Sequence, residues 1–149
     1  MVRLRKFWSI TRHEKELLCE ASILLFLSNA SVKVFAFRHI ERLLRTHWND
    51  GIRRDIDHEQ AIRLVQHSIS RATNVLPWKS RCLSQSIAQF IMLRRRGIPA
   101  ILFAGARFSG HFSLDAHAWV DTSPGANDRS SDNSDFATVI KIGTADVDR

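Results

Sequence analysis

An α+β fold is predicted for this chain, with helices first and a small antiparallel sheet last. Apolar residues recur at helical spacing through most of the first hundred positions, the pattern changes to short extended segments after Pro99, and turn residues such as Ser123, Pro124 and Gly125 separate those segments. With 149 residues and 44% apolar content, the chain is one domain's worth and can bury a core without staples. Only three Pro and six Gly exclude collagen-like and low-complexity classes.

The first element runs from Lys15 to Phe26, where apolar residues nearly encircle a helix. A basic stretch from Met1 to Lys15 followed by an apolar one from Leu17 to Phe37 raises a secretory or spanning reading. Glu14, Glu16 and Glu20 precede the apolar stretch, however, and Ser28, Asn29 and Lys33 follow its core. A signal peptide avoids acids at that place, and a spanning helix needs about 20 predominantly apolar residues. A deep core helix is therefore expected.

From Ser31 to Arg45 the periodicity predicts an amphipathic helix, with Val32, Phe35, Ala36, His39, Ile40, Leu43 and Leu44 on one face. After the break at Asn49, Asp50 and Gly51, Asp57 with Gln60 three residues later reads as a capping box. It opens a helix to about Arg71, with a stripe of Ala61, Ile62, Val65 and Ile69, before Thr73 to Pro77 breaks it. Ser80 can cap a helix from Arg81 to Arg96, apolar at Leu83, Ile87, Phe90 and Ile91 and ended by Gly97. Three strands follow, over Ala100 to Ala106, Ala116 to Asp121 and Phe136 to Ile142. The whole of 1–149 reads as a single domain, with a helical half over about 1–72, the remaining core over about 73–142 and a frayed tail over 143–149.

Against 15 Asp and Glu stand 22 Lys and Arg, a net charge of +7. The excess is in the helical half: residues 1–100 hold 18 basic and 8 acidic side chains, whereas 101–149 hold 4 and 7. Such a surface attracts nucleic acid, anionic lipid or an acidic peptide or protein, and composition does not choose. The run Arg94 to Arg96 reads as a solvated helix end complementing the dipole, without the interleaved aromatics of single-strand binding. Two cysteines, Cys19 and Cys82, make no disulfide framework and no CxxC pair, and no HxxxH or Cys/His set offers a metal site. Reduced thiols, a cytoplasmic location and no metal or cofactor are expected.

Cys82 is the residue that most invites chemistry. A thiol at a helix N-terminus meets the positive end of the helix dipole and unpaired N–H groups, which favour thiolate and can hold a developing oxyanion. Cys19, among Leu17, Leu18, Ile23 and Leu24, reads instead as a small core residue. The base for Cys82 would be His117, on the strand Asp115-Ala-His-Ala-Trp-Val-Asp121, and its second ring nitrogen would need an orienting acceptor. Asp121 lies about 13 Å along the same strand at 3.3 Å per residue and cannot serve. An acid on the return segment after Ser123-Pro-Gly-Ala126 can, which leaves Asp128 or Asp132. A two-residue turn between Pro124 and Gly125 would set Asp132 opposite His117, and a tighter or irregular loop would favour Asp128. Gln85 and Ser86, one turn beyond Cys82, either line the site and support an oxyanion or bond to nearby backbone.

The segments Leu76-Pro-Trp-Lys-Ser-Arg-Cys-Leu-Ser-Gln-Ser86, Leu93-Arg-Arg-Arg-Gly-Ile-Pro99 and Ala116-His-Ala-Trp-Val120 together resemble the lasso-peptide leader peptidases, proteins like the one that processes microcin J25, within the transglutaminase-like cysteine peptidase superfamily. The resemblance spans essentially the whole chain. It implies a transglutaminase- or papain-like core over about 73–142, in which a catalytic helix is followed by a small antiparallel sheet, with the N-terminal helices packed on it. It also implies a Cys-His-Asp triad in that order. Cys82 and His117 fall on the motif, and Asn127-Asp128 ahead of Phe136 matches the family's context for the acid, which favours Asp128 over Asp132.

The activity implied is removal of the leader from a ribosomally made lasso precursor peptide, through an acyl-enzyme and without a cofactor. The implied partners are that precursor, a separate leader-binding protein and a lasso cyclase that consumes the freed amine, but no nucleic acid; membrane association is not expected. The basic helical half, at Arg38, Arg42 and Arg45, is the expected docking surface for the leader-binding protein. Two other readings stand beside this one. A transglutaminase-like acyltransferase would resolve the thioester with an amine, and a noncatalytic basic adaptor would keep Cys82 only for packing.

Overall fold

The computed structural model describes residues 11–46, 57–76, 82–109, 113–122 and 135–143. They form α1 (Arg12–Val34), α2 (Phe37–Thr46), α3 (His58–Val75), α4 (Cys82–Arg95), β1 (Ile101–Ser109), β2 (Ser113–Asp121) and β3 (Ala137–Ile142). This is the expected α+β order, four helices and a three-stranded antiparallel sheet.

A capping box starts α1: the Glu14 N–H donates to the Thr11 hydroxyl, and the Thr11 N–H donates to the Glu14 carboxylate at 3.0 Å. Those Thr11 bonds to the charged form hold the Glu14 carboxyl below its ordinary pKa. The helix then runs through the expected boundary near Phe26 as far as Val34. It breaks at Phe35, whose backbone is extended (φ −106°, ψ 143°). The break turns α2 back onto the sheet, where Ile40 and Leu44 enter the core and Arg45 donates to the Lys141 carbonyl of β3 at 2.8 Å. The amphipathic helix expected from Ser31 to Arg45 is thus divided between two elements. Tertiary contact with β3 outweighs the continuous periodicity.

Nor is α1 covered on most sides. Leu17, Leu18, Ala21 and Leu25 are buried, but Ile23, Phe26 and Leu27 are more than half exposed. Cys19, expected in the core, is exposed as well. One side of the helix packs on α3 and α4, and α2 also touches α1.

Asp57 caps α3 by accepting from the Gln60 N–H at 3.1 Å. The helix continues one turn beyond the expected end at Arg71, to Val75, and within it Thr73 donates its hydroxyl to the Ile69 carbonyl at 2.8 Å. Its buried stripe is Val65, Ser68, Ile69 and Ala72, with Ala61 and Ile62 partly covered. The most enclosed helix is α4, packed between α1 and α3 on one side and the sheet on the other, with Ile87, Ala88, Phe90, Met92 and Leu93 buried. Gly97 ends it with φ 69°, and the Ile98 N–H reaches back to the Leu93 carbonyl at 3.1 Å, a Schellman closure. Arg95 and Arg96 are not simply solvated: both pair with Glu20 and tie the end of α4 to α1.

The strand order is β2-β1-β3. Leu102 and Ile142, with Val120 and Ile140 partly buried, face the helices and share one core with Leu25, Val65 and Phe90. Ile101, Phe103 and Trp119 form a smaller cluster with Phe136. The helical half and the sheet therefore pack as one body, and the tail from residue 144 lies outside the described residues.

Candidate active site

Cys82 is the first residue of α4, in the turn whose backbone N–H groups lack intrahelical acceptors. Its thiol donates to the Ala116 carbonyl of β2 at 3.9 Å. That carbonyl belongs to the peptide joining Ala116 to His117, so the fold brings the thiol to the backbone of the candidate base.

The contact has a geometric origin. β2 lies at the edge of the sheet, and alternate carbonyls along an edge strand point outward, two residues or about 6.6 Å apart. One helical turn of α4 nearly matches that repeat, at about 6 Å for four residues. Cys82 meets the Ala116 carbonyl, and Ser86 meets the Ala118 carbonyl at 2.9 Å. Ser86 is buried, and its hydroxyl is occupied in bonding the strand backbone, the second of the two roles open to it in the sequence. Gln85 is half-buried.

The half-buried ring of His117 lies with the smaller aromatic cluster. It stacks with Trp119, centroids 5.9 Å apart and planes 16° off parallel, and meets Phe136 at 5.3 Å. Phe136 is held in turn by Arg107, whose guanidinium sits 4.6 Å from its ring centre. The Arg107 guanidinium also pairs with Asp115 at 3.3 Å. Gly105, paired with His117 across the ladder, makes this crowding possible: a Cβ there would come within 3.0 Å of the Ala137 carbonyl and 3.2 Å of the Trp119 ring. No catalytic pattern in the sequence marks Trp119, Phe136 or Gly105 as the setting of the His117 ring. The signal available was Trp119, two residues after His117 and so on the same face of the strand.

The turn and return segment by which a hairpin would set Asp132 opposite His117 lie outside the described residues. β3 pairs with β1, from Leu102 with Ile142 to Ala106 with Ala137, and not with β2. α4 meets the outward carbonyls of β2 through Cys82 and Ser86, on the side away from β1 and β3. Asp128 and Asp132 both lie outside the described residues, as do Ser80 and Arg81.

Beyond the N-terminus of α4 the sheet carries an open groove of about 700 Å³, lined by Ala106, Phe108, Leu114, Ala137 and Val139 together with the charged Arg107 and Asp135. It begins at the rung pairing Ala106 with Ala116, whose carbonyl receives the thiol. Of the arginines expected to dock a partner, Arg45 is engaged within the fold, by Glu41 at 2.8 Å and by the Lys141 carbonyl.

A cysteine at a helix start against a strand that carries a histidine is an arrangement suited to acyl transfer through a thioester. The sequence profile of the transglutaminase-like superfamily matches residues 24–141. The chain belongs to that superfamily. Its match begins inside α1, so the superfamily domain takes in helices of the N-terminal half as well as α4 and the sheet. No curated protein and no solved structure matches the chain. Cysteine peptidases and acyltransferases are both found in the superfamily.

Proposed function

We propose that this superfamily member is a cysteine peptidase that removes the leader from a ribosomally synthesised lasso precursor peptide. The observation that carries the reading is the contact of the Cys82 thiol with the peptide leading into His117, at the start of a helix. The Cys82 sulfur attacks the carbonyl carbon at the leader–core junction, and the thiol proton passes to His117. As the C–N bond breaks, His117 gives that proton to the departing core amine, leaving the leader as a thioester on Cys82. Water then resolves the thioester to a carboxylate and the free thiol. Asp128 orients the imidazole, with Asp132 as the rival.

The substrate arrives on a separate leader-binding protein, and the reaction takes place in the cytoplasm. Arg38, exposed on α2, is a docking contact for that protein. A lasso cyclase takes up the freed amine.

The test is cleavage of the precursor encoded beside this gene, with its leader-binding protein present, followed by mass. Cys82→Ala and His117→Ala are expected to abolish the leader and core masses, and one of Asp128→Ala and Asp132→Ala to do the same. Unchanged cleavage by Cys82→Ala would overturn the reading in favour of the basic adaptor. The superfamily match suits an acyltransferase equally well. In that case an added primary amine would appear covalently joined to the leader carboxyl in place of the hydrolysed product.

A further inference from the structure

We propose that the outward side of α1 is a membrane-surface contact that seats this protein on anionic phospholipid. Opposite the buried Leu17, Ala21 and Leu25, the same helix presents Ile23, Phe26, Leu27 and Val34 at 54%, 56%, 51% and 73% exposure. These positions recur at three, four and seven residues and form one continuous apolar stripe. Scattered exposed apolar residues are ordinary on a protein surface, but a row of them on one helix face marks a surface that meets something.

Length and packing decide how such a stripe can be used. α1 is long and apolar enough by composition to cross a bilayer. Its other side is committed to the core against α3 and α4, so lipid cannot surround it while the domain stays folded. From Ile23 to Val34 the stripe runs about 16 Å at 1.5 Å per residue, half the thickness of a hydrocarbon core. It fits a helix lying flat in the interface, its apolar side sunk among the acyl chains. Area argues against a second copy as the occupant. A strip about 16 Å long and one helix wide offers on the order of 200 Å², against about 800 Å² per partner in a stable complex.

Charge identifies the lipid. No acidic residue stands between Glu20 and Glu41, whereas Lys33 and Arg38 are exposed there. The acids that bound this stretch are turned inward or paired: Glu20 to Arg95 and Arg96, Glu41 to Arg45. Lys15 and Lys33 are eighteen residues apart, five full turns, with Phe26 in line between them; Glu16, exposed and 3.9 Å from Arg12, stands at the Lys15 end, so the cationic edge of the stripe is at Lys33 and Arg38. An apolar strip edged by lysine is complementary to a surface of anionic headgroups over acyl chains.

Sedimentation of the full chain with phosphatidylcholine vesicles, and with vesicles containing an equal part of phosphatidylglycerol, tests the proposal without reference to the catalytic reading. The wild type is expected to sediment with the anionic vesicles alone and to be released at about 0.5 M salt. The double variants Phe26→Ser with Leu27→Ser, and Lys33→Glu with Arg38→Glu, each lose at least tenfold in partition. All four positions are exposed, and unchanged thermal melts establish that both variants remain folded. Failure of the wild type to sediment overturns the proposal, as does wild-type binding by the serine variant. A dimer that the serine substitutions dissolve, or a protein partner lost with them while vesicles are ignored, would reassign the stripe and overturn it too.

Discussion

Ser86 donates its hydroxyl to the Ala118 carbonyl at 2.9 Å, one helical turn and two strand residues beyond the contact of Cys82 with Ala116. The two bonds dock the start of α4 along the edge of β2 and set the position of the thiol relative to the strand that carries His117. An edge strand otherwise leaves its outward carbonyls unpaired, and in a buried place each unpaired group is costly.

Ser86→Ala leaves the Ala118 carbonyl without this donor in a buried place. The variant is expected to lose about 1–2 kcal/mol of stability, read as a lower midpoint in urea with an unchanged slope. It is also expected to change the rate at which Cys82 is alkylated by iodoacetamide, since the helix start is then held by one bond.

Gly105→Ala introduces a methyl group 3.0 Å from the Ala137 carbonyl, 3.1 Å from the Phe136 Cβ and 3.2 Å from the Trp119 ring. One wall is backbone, so the aromatic rings must move. A destabilisation of about 1–3 kcal/mol is expected from thermal denaturation. Phe136 moves away from His117, which chemical-shift changes of the imidazole would report.

The two sides of α1 separate in stability. Leu25→Ala empties a fully buried site and is expected to cost about 2–5 kcal/mol, whereas Leu27→Ala, at 51% exposure, is expected to change stability by less than about 0.5 kcal/mol. Denaturant titration of the two variants checks the difference. Similar losses at both positions would mean that the outward side of α1 is covered.

Acid is expected to loosen the first turn of α1. The Glu14 pKa lies below its ordinary value because the bonds to Thr11 need the carboxylate. The stabilisation is therefore fully present above about pH 4.3, the unfolded value, and is lost as pH falls through the lower folded value. Amide exchange of Lys15 and Glu16 at constant temperature should accelerate, relative to the intrinsic rate, below about pH 4. Thr11→Ala should show that acceleration already at neutral pH.

Elements with a strong local signal were legible. Asp57 with Gln60, Gly97 after the arginine run, and the strands on either side of the Ser/Pro/Gly segment all lie within a few residues of their expected places. The cap side chains and the left-handed glycine act within four or five residues, so their effect is local. The candidate site was legible in part. Cys82 at a helix start and His117 on a strand follow from pattern, but the aromatic setting of His117 depends on Phe136 crossing from the far side of β1.

The sequence by itself determined the order of the elements, the division into a basic helical half and an acidic sheet half, and the placing of one thiol and one imidazole in their respective elements. Only the tertiary structure decided that α4 meets the outer edge of β2, that β3 pairs with β1, and that α1 is buried on one side alone. Periodicity and turn residues report what a segment can bury and where it can bend. Which neighbour does the burying, and which sheet edge is still free when a strand returns, depends on contacts between residues far apart in the chain.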